Sequence, residues 1–275
     1  MKRDLGFGLM RLTGDAAWGP PPVWSDAVDL IQLAYELGVR IFDTAWYYGP
    51  DVTNRLLADA LFPYPDDIVI ITKAGNSRGP NRSWRPALQP IQLRHACLSD
   101  LKSLKVSRLP LVLLRWLPQA EDEARFSEAL AELIDLKSSG FIGEIGLSNV
   151  EMRHILQAQR TCEIAAVSNS FSVYSRRDAE VLEYCTMLRI KFLPYYPLLG
   201  GDVVRQPLIE RIAREMAATP AQVALAWLLA QSPVIVPIPG TSRVDHLRQN
   251  LAAASLTIPS PRLSELNELR ETRSL

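Results

Sequence analysis

Short apolar runs alternate with longer amphipathic segments along the chain. The short runs are rich in valine, isoleucine and leucine and are almost continuously apolar, which is typical of strands covered on both faces. They lie at 5–9, 39–43, 68–73, 111–116, 143–147, 164–169, 190–195 and 234–238. Helices are predicted between most of them, at 25–37, 90–104, 123–138, 150–160, 177–187, 207–217, 220–229, 243–254 and 263–271.

Eight strands that alternate with helices form either a closed (β/α)8 TIM barrel or an open, doubly wound sheet. The strand count and the length of 275 residues favour a single barrel domain spanning 1–275. No Gly-x-Gly-x-x-Gly motif follows any strand, which argues against a dinucleotide-binding doubly wound sheet. Because a barrel collects its functional residues at the carboxyl ends of its strands, we expect the active site there.

The charge balance narrows the classes of partner. The chain has 30 basic and 30 acidic residues and a formal net charge of zero, so we expect neither a nucleic-acid nor a membrane partner. The three cysteines are widely spaced, which predicts neither a disulfide framework nor a metal site. With no apolar leader at the start of the sequence, the expected location is the cytoplasm.

Three residues at the ends of the second and third predicted strands suggest proton-transfer chemistry. Asp43 can supply the counter-charge that a buried Lys73 needs. Lys73 beside Tyr48 would lower the pKa of the phenol, and such a tyrosine can protonate a carbonyl oxygen. The hydride for such a reduction must come from a bound cofactor. The alternative is an ion pair with a purely structural role and a tyrosine that belongs to an aromatic core patch.

Motifs along nearly the whole chain resemble those of the aldo-keto reductase family. They are the run at 38–45 with Tyr48-Gly49, the run at 71–73, the run at 145–149, Tyr195 with Pro197-Leu198, and the run at 237–241 with Gln249-Asn250. The Pro-Ile-Pro-Gly-Thr-Ser run at 237–242 and the Gly-Pro-x-x-x-Trp-Arg-Pro loop at 79–86 look most like the branch with pyridoxal reductase-like members.

The resemblance implies an NADPH-dependent enzyme, with NADH the less favoured cofactor. It would reduce an aldehyde or ketone to an alcohol with a hydride from nicotinamide C4 and a proton from Tyr48. The catalytic positions would be Asp43, Tyr48, Lys73 and Arg115. The cofactor would be bound by Gly8, Met10, Asp43, Ser148, Asn149, Ser168, Tyr195, Leu198, Gly200, Gly201, Gly240, Thr241, Ser242, Arg243, Gln249 and Asn250. Tyr195 matches the aromatic residue that stacks under the nicotinamide, and 240–243 match the segment at the 2′-phosphate.

Two positions depart from the family pattern. The family has a catalytic histidine where this chain has Arg115, and it often has glutamine where this chain has Ser168. A guanidinium does not release its proton at ordinary pH, but its N–H groups can stabilise an oxyanion. The alternative is that Arg115 turns away and pairs with a carboxylate. Ser168 is short and would reach the cofactor through water.

Aromatic residues beside these strand ends predict the substrate. Candidate contacts are Trp18, Trp24, Trp46, Tyr48, Trp84, Arg115 and Trp116. They favour a flat, aromatic or polycyclic carbonyl compound, although loops of this kind can also pack on themselves. The short segment after the last predicted helix suggests an open pocket or one closed by another subunit, and the oligomeric state stays open. Two other functions remain possible from the sequence: reduction of a conjugated C=C or an imine, and a cofactor-binding regulatory subunit with little turnover.

Overall fold

Parallel strands curl around a common axis in the computed structural model, which describes residues 4–117 and 123–269. The seven barrel strands are β1 (Phe7–Gly8), β2 (Ile41–Asp43), β3 (Val69–Ala74), β6 (Leu109–Arg115), β7 (Ile142–Ser148), β8 (Ala166–Ser168) and β9 (Lys191–Phe192). They are hydrogen-bonded in that order, and every pair is parallel. A separate antiparallel hairpin joins β4 (Asn76–Arg78) to β5 (Trp84–Pro86) in a segment that the pattern predicts as a loop.

The predicted eighth strand closes the barrel without forming a regular ladder. Phe192 N donates to Val234 O at 2.9 Å, and Val236 N donates back to Phe192 O at 2.9 Å. On the other side, Gly6 N donates to Pro237 O at 2.9 Å. Proline has no N–H, so Pro237 cannot donate in return and the ladder is incomplete. The segment nevertheless bonds to both of its neighbours, and the predicted (β/α)8 barrel is confirmed.

Ten helices cover the outside of the barrel in the described residues. They are α1 (Trp24–Glu36), α2 (Val52–Leu61), α3 (Pro90–Leu104), α4 (Glu123–Ser138), α5 (Met152–Ala158), α6 (Ala179–Leu188), α7 (Pro207–Glu215), α8 (Pro220–Gln231), α9 (Val244–Ala252) and α10 (Ser260–Glu268). The pattern predicts no helix at α2, and α10 begins three residues before its predicted start. Glu271, its predicted end, lies outside the described residues. None of the described helices is long and apolar enough to cross a bilayer.

Strand alternation determines which side chains reach the active end of the barrel. Ile71, Leu111 and Leu113 fill the barrel interior. Because side chains two residues apart share a face, Lys73 follows Ile71 and Arg115 follows Leu113 on the inner side, at the carboxyl ends of their strands. The neighbours with opposite parity point outward to the helices. The barrel core thus ends in a layer of charged residues.

Candidate active site

A buried ion pair lies at the ends of β2 and β3. Lys73 Nζ donates to both Asp43 carboxylate oxygens, at 2.6 and 2.7 Å, and to Thr44 O at 3.1 Å. Asp43 is 4% exposed and Lys73 is 2% exposed. Burial raises the pKa of the Asp43 carboxyl, and the charge and hydrogen bonds of Lys73 oppose that rise. Each charge offsets part of the cost of burying the other.

Tyr48 packs against this ion pair and stays protonated. Its side chain is buried, and Lys73 Nζ lies 5.1 Å from the centre of its ring. Burial raises the pKa of the Tyr48 phenol above its ordinary value, and the nearby charge of Asp43 raises it further. The net shift is therefore opposite to the predicted lowering, because burial, its largest cause, disfavours the phenolate. A phenol in this state is a proton donor.

Arg115 faces the same cavity and carries an unbalanced charge. Its Nη1 donates to Ser148 Oγ at 3.2 Å, and its Cζ lies 5.3 Å from the centre of the Tyr195 ring. The Asn76 amide forms hydrogen bonds through both its nitrogen and its oxygen in one orientation. In that orientation, the Asn76 oxygen accepts from Arg115 Nε at 3.3 Å. Within 4–117 and 123–269, no carboxylate forms a salt bridge with Arg115. The expected alternative of a carboxylate partner is thus not what the structure has.

These residues line one end of a cavity of about 900 Å³. The predicted site residues on its wall are Gly8, Met10, Asp43, Tyr48, Lys73, Trp84, Arg115, Tyr195, Leu198, Gly200, Gly201, Gly240, Thr241, Ser242, Arg243, Gln249 and Asn250. The cavity therefore brings together the catalytic candidates and most of the residues predicted to bind a cofactor.

Comparison with known proteins identifies the family. The sequence profile of the aldo/keto reductase family matches residues 4–271. The chain is a member of the aldo/keto reductase family. Pyridoxine 4-dehydrogenase of Escherichia coli strain K12 is 38% identical over 266 residues, which cover 96% of this chain and 93% of that protein. This relative agrees with the resemblance to the pyridoxal reductase-like branch.

Solved structures show the same fold. A thermostable aldo-keto reductase, crystallised with the inhibitor epalrestat, is similar with a TM-score of 0.81 at 27% identity and covers 96% of this chain and 93% of its own. An aldo-keto reductase from Klebsiella pneumoniae, crystallised with NADPH, has a TM-score of 0.80 at 21% identity and covers 99% and 98%. At such low identity the second likeness concerns the fold alone.

Three predicted cofactor contacts of this aldo/keto reductase do not line the cavity. Ser148 accepts the hydrogen bond from Arg115. Asn149 donates to Trp116 O at 2.8 Å and accepts from the Tyr195 hydroxyl at 2.8 Å. Ser168 is fully buried, and its hydroxyl has no hydrogen-bond partner among the described residues. In this structure Ser148 and Asn149 hold the lining residues Arg115 and Tyr195 in place.

Most of the predicted substrate tryptophans lie outside the cavity wall, which corrects that prediction. Trp24 donates to Asp59 on the outer helical layer at 3.1 Å. Trp116 is buried against Phe126, and Trp46 contacts His95 edge-on. They pack against their own neighbours instead.

The β4–β5 hairpin supplies the aromatic wall of the cavity. Trp84 lines the cavity and stands edge-on to Tyr47, with the ring centres 5.7 Å apart. Arg78 stacks over Trp84 at 3.9 Å and lies 5.5 Å from the ring of Trp18, which does not line the cavity. Arg78 also donates to Ala16 O at 2.8 Å, so it joins the hairpin to the loop that carries Trp18. Arg78 therefore lies close to the rings of both Trp84 and Trp18.

Several lining residues were not among the sequence candidates. They are Arg11, Tyr47, Asn76, Leu117, Tyr196, Pro197, Thr219, Pro220, Ala221, Ile238, Pro239 and His246. Thr219 could have been found from the sequence, because Thr-Pro predicts a helix start. The amino end of that helix, α8, lines the cavity. Arg11 could not, because only the tertiary structure places it beside the 200–201 turn.

The far end of the cavity is suited to an anion. A Cβ built on Gly200 would lie 3.5 Å from Arg11 Nη2, so the guanidinium borders the turn at Gly200 and Gly201. Gly201 has a φ of 114° and open space on its Cβ side. Arg243 precedes α9, and Ser242, Arg243 and His246 at the start of this helix line the cavity. Its nearest carboxylate, Asp245, is 3.7 Å away on the exposed surface, so the pair is weak.

Replacement of one partner of the buried ion pair tests its contribution to stability. We expect Lys73→Met to lower the free energy of unfolding by about 3–5 kcal/mol, because Asp43 then remains buried without a counter-charge. Burial would then hold the folded-state pKa of Asp43 above its unfolded value. The loss should therefore be small below about pH 4 and should grow as the pH rises. Urea unfolding at several pH values measures it.

The double variant Asp43→Leu/Lys73→Met is the control. It should recover most of the lost stability, because an apolar pair leaves no unpaired charge. Equal destabilisation in the single and double variants would contradict the ion-pair explanation and point to packing.

Proposed function

We propose that this protein reduces an aldehyde or ketone to an alcohol with NADPH as the cofactor. The observation that carries the proposal is the protonated Tyr48 beside the Asp43–Lys73 pair, in a cavity whose other end is built for an anion. Family membership makes the protein an oxidoreductase of this general class.

The cavity fits a nicotinamide dinucleotide. The turn at Gly200 and Gly201 offers open space, and Arg11 and Arg243 line the same end of the cavity. Tyr195 stands at the catalytic end, where its hydroxyl is held by Asn149. When bound, the cofactor supplies the hydride that no side chain can provide. The carboxyl ends of barrel strands are also where this fold places its ligands.

Four side chains share the work of reducing the substrate carbonyl. Tyr48 donates its phenolic proton to the carbonyl oxygen as negative charge develops there. The Arg115 N–H groups, which have no carboxylate to neutralise them, stabilise that developing charge. Lys73 lies close enough to stabilise the phenolate left behind, and Asp43 keeps Lys73 charged and in position. The aromatic wall at Trp84 limits the access of water.

Removal of the Tyr48 hydroxyl tests the proton donor. We expect Tyr48→Phe to lower kcat for aldehyde reduction by about 10²–10⁴-fold, because the proton transfer is lost while the ring and its packing are kept. Loss of absorbance at 340 nm with NADPH and a panel of aldehydes measures the rate. NADPH binding, followed by tryptophan fluorescence quenching, should change little.

Tyr184→Phe is the matched control. That tyrosine hydrogen-bonds to Gln159 outside the cavity, and its loss should leave kcat near the wild-type value. Full activity in Tyr48→Phe would rule out Tyr48 as the acid. Product analysis with an enone checks the acceptor, because a surviving carbonyl would assign the reaction to the C=C bond.

The substrate class we propose is a flat aromatic carbonyl compound with a negatively charged group. The named reaction of the Escherichia coli relative, a pyridoxine 4-dehydrogenase, supports an aromatic substrate. Trp84 supplies an aromatic wall, and its side chain is 44% exposed. Asp43 and Lys73 balance each other, so Arg115 leaves the catalytic end of the cavity with a positive charge.

Matched aldehydes test this charge. We expect wild-type kcat/KM to be higher for 3- or 4-carboxybenzaldehyde than for benzaldehyde, and Arg115→Met to remove about 10- to 100-fold of that preference. Arg115→Lys keeps the charge and should keep part of the preference. If Arg115→Met lowers kcat/KM equally for charged and neutral aldehydes, Arg115 acts only on the carbonyl oxygen and does not recognise the carboxylate.

Arg11 tests the anionic end of the cavity. We expect Arg11→Met to raise the Kd for NADPH by about 10- to 100-fold, the range of a charge-assisted hydrogen bond, and to leave kcat at saturating cofactor nearly unchanged. Arg160→Met, an exposed arginine that does not line this cavity, is the control. An unchanged Kd for NADPH in Arg11→Met would show that Arg11 does not bind the cofactor.

A further inference from the structure

A fully buried polar network lies between β2, β3, α2 and α3. Asn54 Nδ2 donates to Asp100 Oδ1 at 2.6 Å, and Thr72 Oγ1 donates to Asp100 Oδ2 at 2.8 Å. Thr44 Oγ1 donates to Asn54 Oδ1 at 2.7 Å and lies 2.8 Å from Thr53 Oγ1. All five side chains are 0% exposed. Asp100 on α3 thus accepts one hydrogen bond from α2, through Asn54, and one from β3, through Thr72.

Two members of the network are chain neighbours of the ion pair. Thr44 follows Asp43, and Thr72 precedes Lys73. Side chains alternate along a strand, so Asp43 and Lys73 point into the barrel while Thr44 and Thr72 point outward to the helices. Thr44 N also donates to Ile71 O at 2.8 Å, which continues the β2–β3 pairing up to the site. The two strand ends are therefore fixed on both faces, by the ion pair inside and by Asp100 outside.

Asp100 has no salt-bridge partner among the described residues, and packing alone does not account for a carboxylate there. Burial raises its pKa to about 7, against the hydrogen bonds from Thr72 and Asn54. The charged groups that act on it are Asp51 at the start of α2, which raises the pKa, and Lys73 on β3, which lowers it. Cys97 is the titratable neighbour on its own helix. A folded-state pKa above the unfolded value means that stability is lost as the pH rises from about 4 to about 7.

The hydrogen bonds differ between the two protonation states. The ionised carboxylate accepts from both Asn54 and Thr72, as observed. The protonated carboxyl must instead donate one bond, and its only hydroxyl neighbour in these contacts is Thr72, whose own hydrogen would then have to turn away. Protonation of Asp100 thus weakens the hydrogen bonding that orients Thr72, the residue next to Lys73.

We propose, on the basis of the function proposed above, that Asp100 is a positioning residue. Its carboxylate holds Thr72 directly and Thr44 through Asn54, and through these two threonines it holds the Asp43–Lys73 pair that supports Tyr48. The ionised form is the one that holds the site in its working geometry.

Asp100→Asn tests the proposal, because the amide can make the hydrogen bonds of the protonated state but cannot ionise. We expect wild-type kcat to rise as the pH increases through about 7 and then to level off. In Asp100→Asn this inflection should be absent, and kcat should stay about 10-fold below the wild-type plateau at every pH. A variant with the wild-type inflection and plateau would overturn the proposal.

The pair Thr72→Val and Thr72→Ser keeps the test decisive if Asp100→Asn fails to fold. Loss of the Thr72 hydroxyl removes a bond to the ionised form, so the inflection should move to higher pH in Thr72→Val. Thr72→Ser retains the hydroxyl and should keep the wild-type profile. An unmoved inflection in Thr72→Val would count against Asp100 as its source.

A measurement without turnover separates this proposal from the proposed function. In protein with ¹⁵N-labelled lysine, the Lys73 side-chain signal is identified by its absence in Lys73→Met. It should shift with a midpoint near pH 7 in the wild type and stay constant in Asp100→Asn. A constant Lys73 signal in the wild type would overturn the positioning role, whether or not the enzyme reduces a carbonyl. Absence of NADPH-dependent turnover together with a Lys73 signal that shifts near pH 7 would overturn only the proposed function.

Discussion

The buried pair of Asp43 and Lys73 is the constraint on which the active site depends. Two opposite charges removed from water are stable only when their geometry is good, and here Lys73 Nζ contacts both carboxylate oxygens. That contact requires β2 and β3 to stay in register up to their last residues. Tyr48 packs against this pair, and its burial keeps the phenol protonated.

The same constraint explains which parts of the site could be predicted from the sequence. Lys73 and Arg115 were predictable because they follow apolar strands, and alternation fixes the side of the barrel to which they point. The eighth strand was predictable from its apolar residues, although Pro237 keeps it from forming a full ladder. Helix α2 was missed, although its buried Leu56 and Leu57 suit a core-facing helix.

Other features depended on tertiary contacts that no local pattern encodes. Six tryptophans are present, and the sequence offered no way to separate Trp84, which lines the cavity, from Trp24, which faces the outer helices. Arg11 meets the 200–201 turn only because the barrel closes. The direction of the Tyr48 pKa was wrong for a related reason. Lys73 lies beside the Tyr48 ring, but the burial of the phenol outweighs the effect of nearby positive charge on its pKa.

Charge distribution links the two ends of the cavity. The chain as a whole is neutral, but the cavity has Lys73 balanced by Asp43 and Arg115 unbalanced at its catalytic end, and Arg11 with Arg243 at the other end. A neutral imidazole in place of Arg115 could assist a carbonyl without drawing an anion toward it, whereas a guanidinium keeps its charge throughout the working pH range. An anionic substrate would therefore gain binding energy at Arg115 before reaction, and only the part of that interaction that strengthens in the transition state would raise kcat. Under the proposed function, arginine in place of histidine would favour anionic substrates at some cost in selectivity for the transition state.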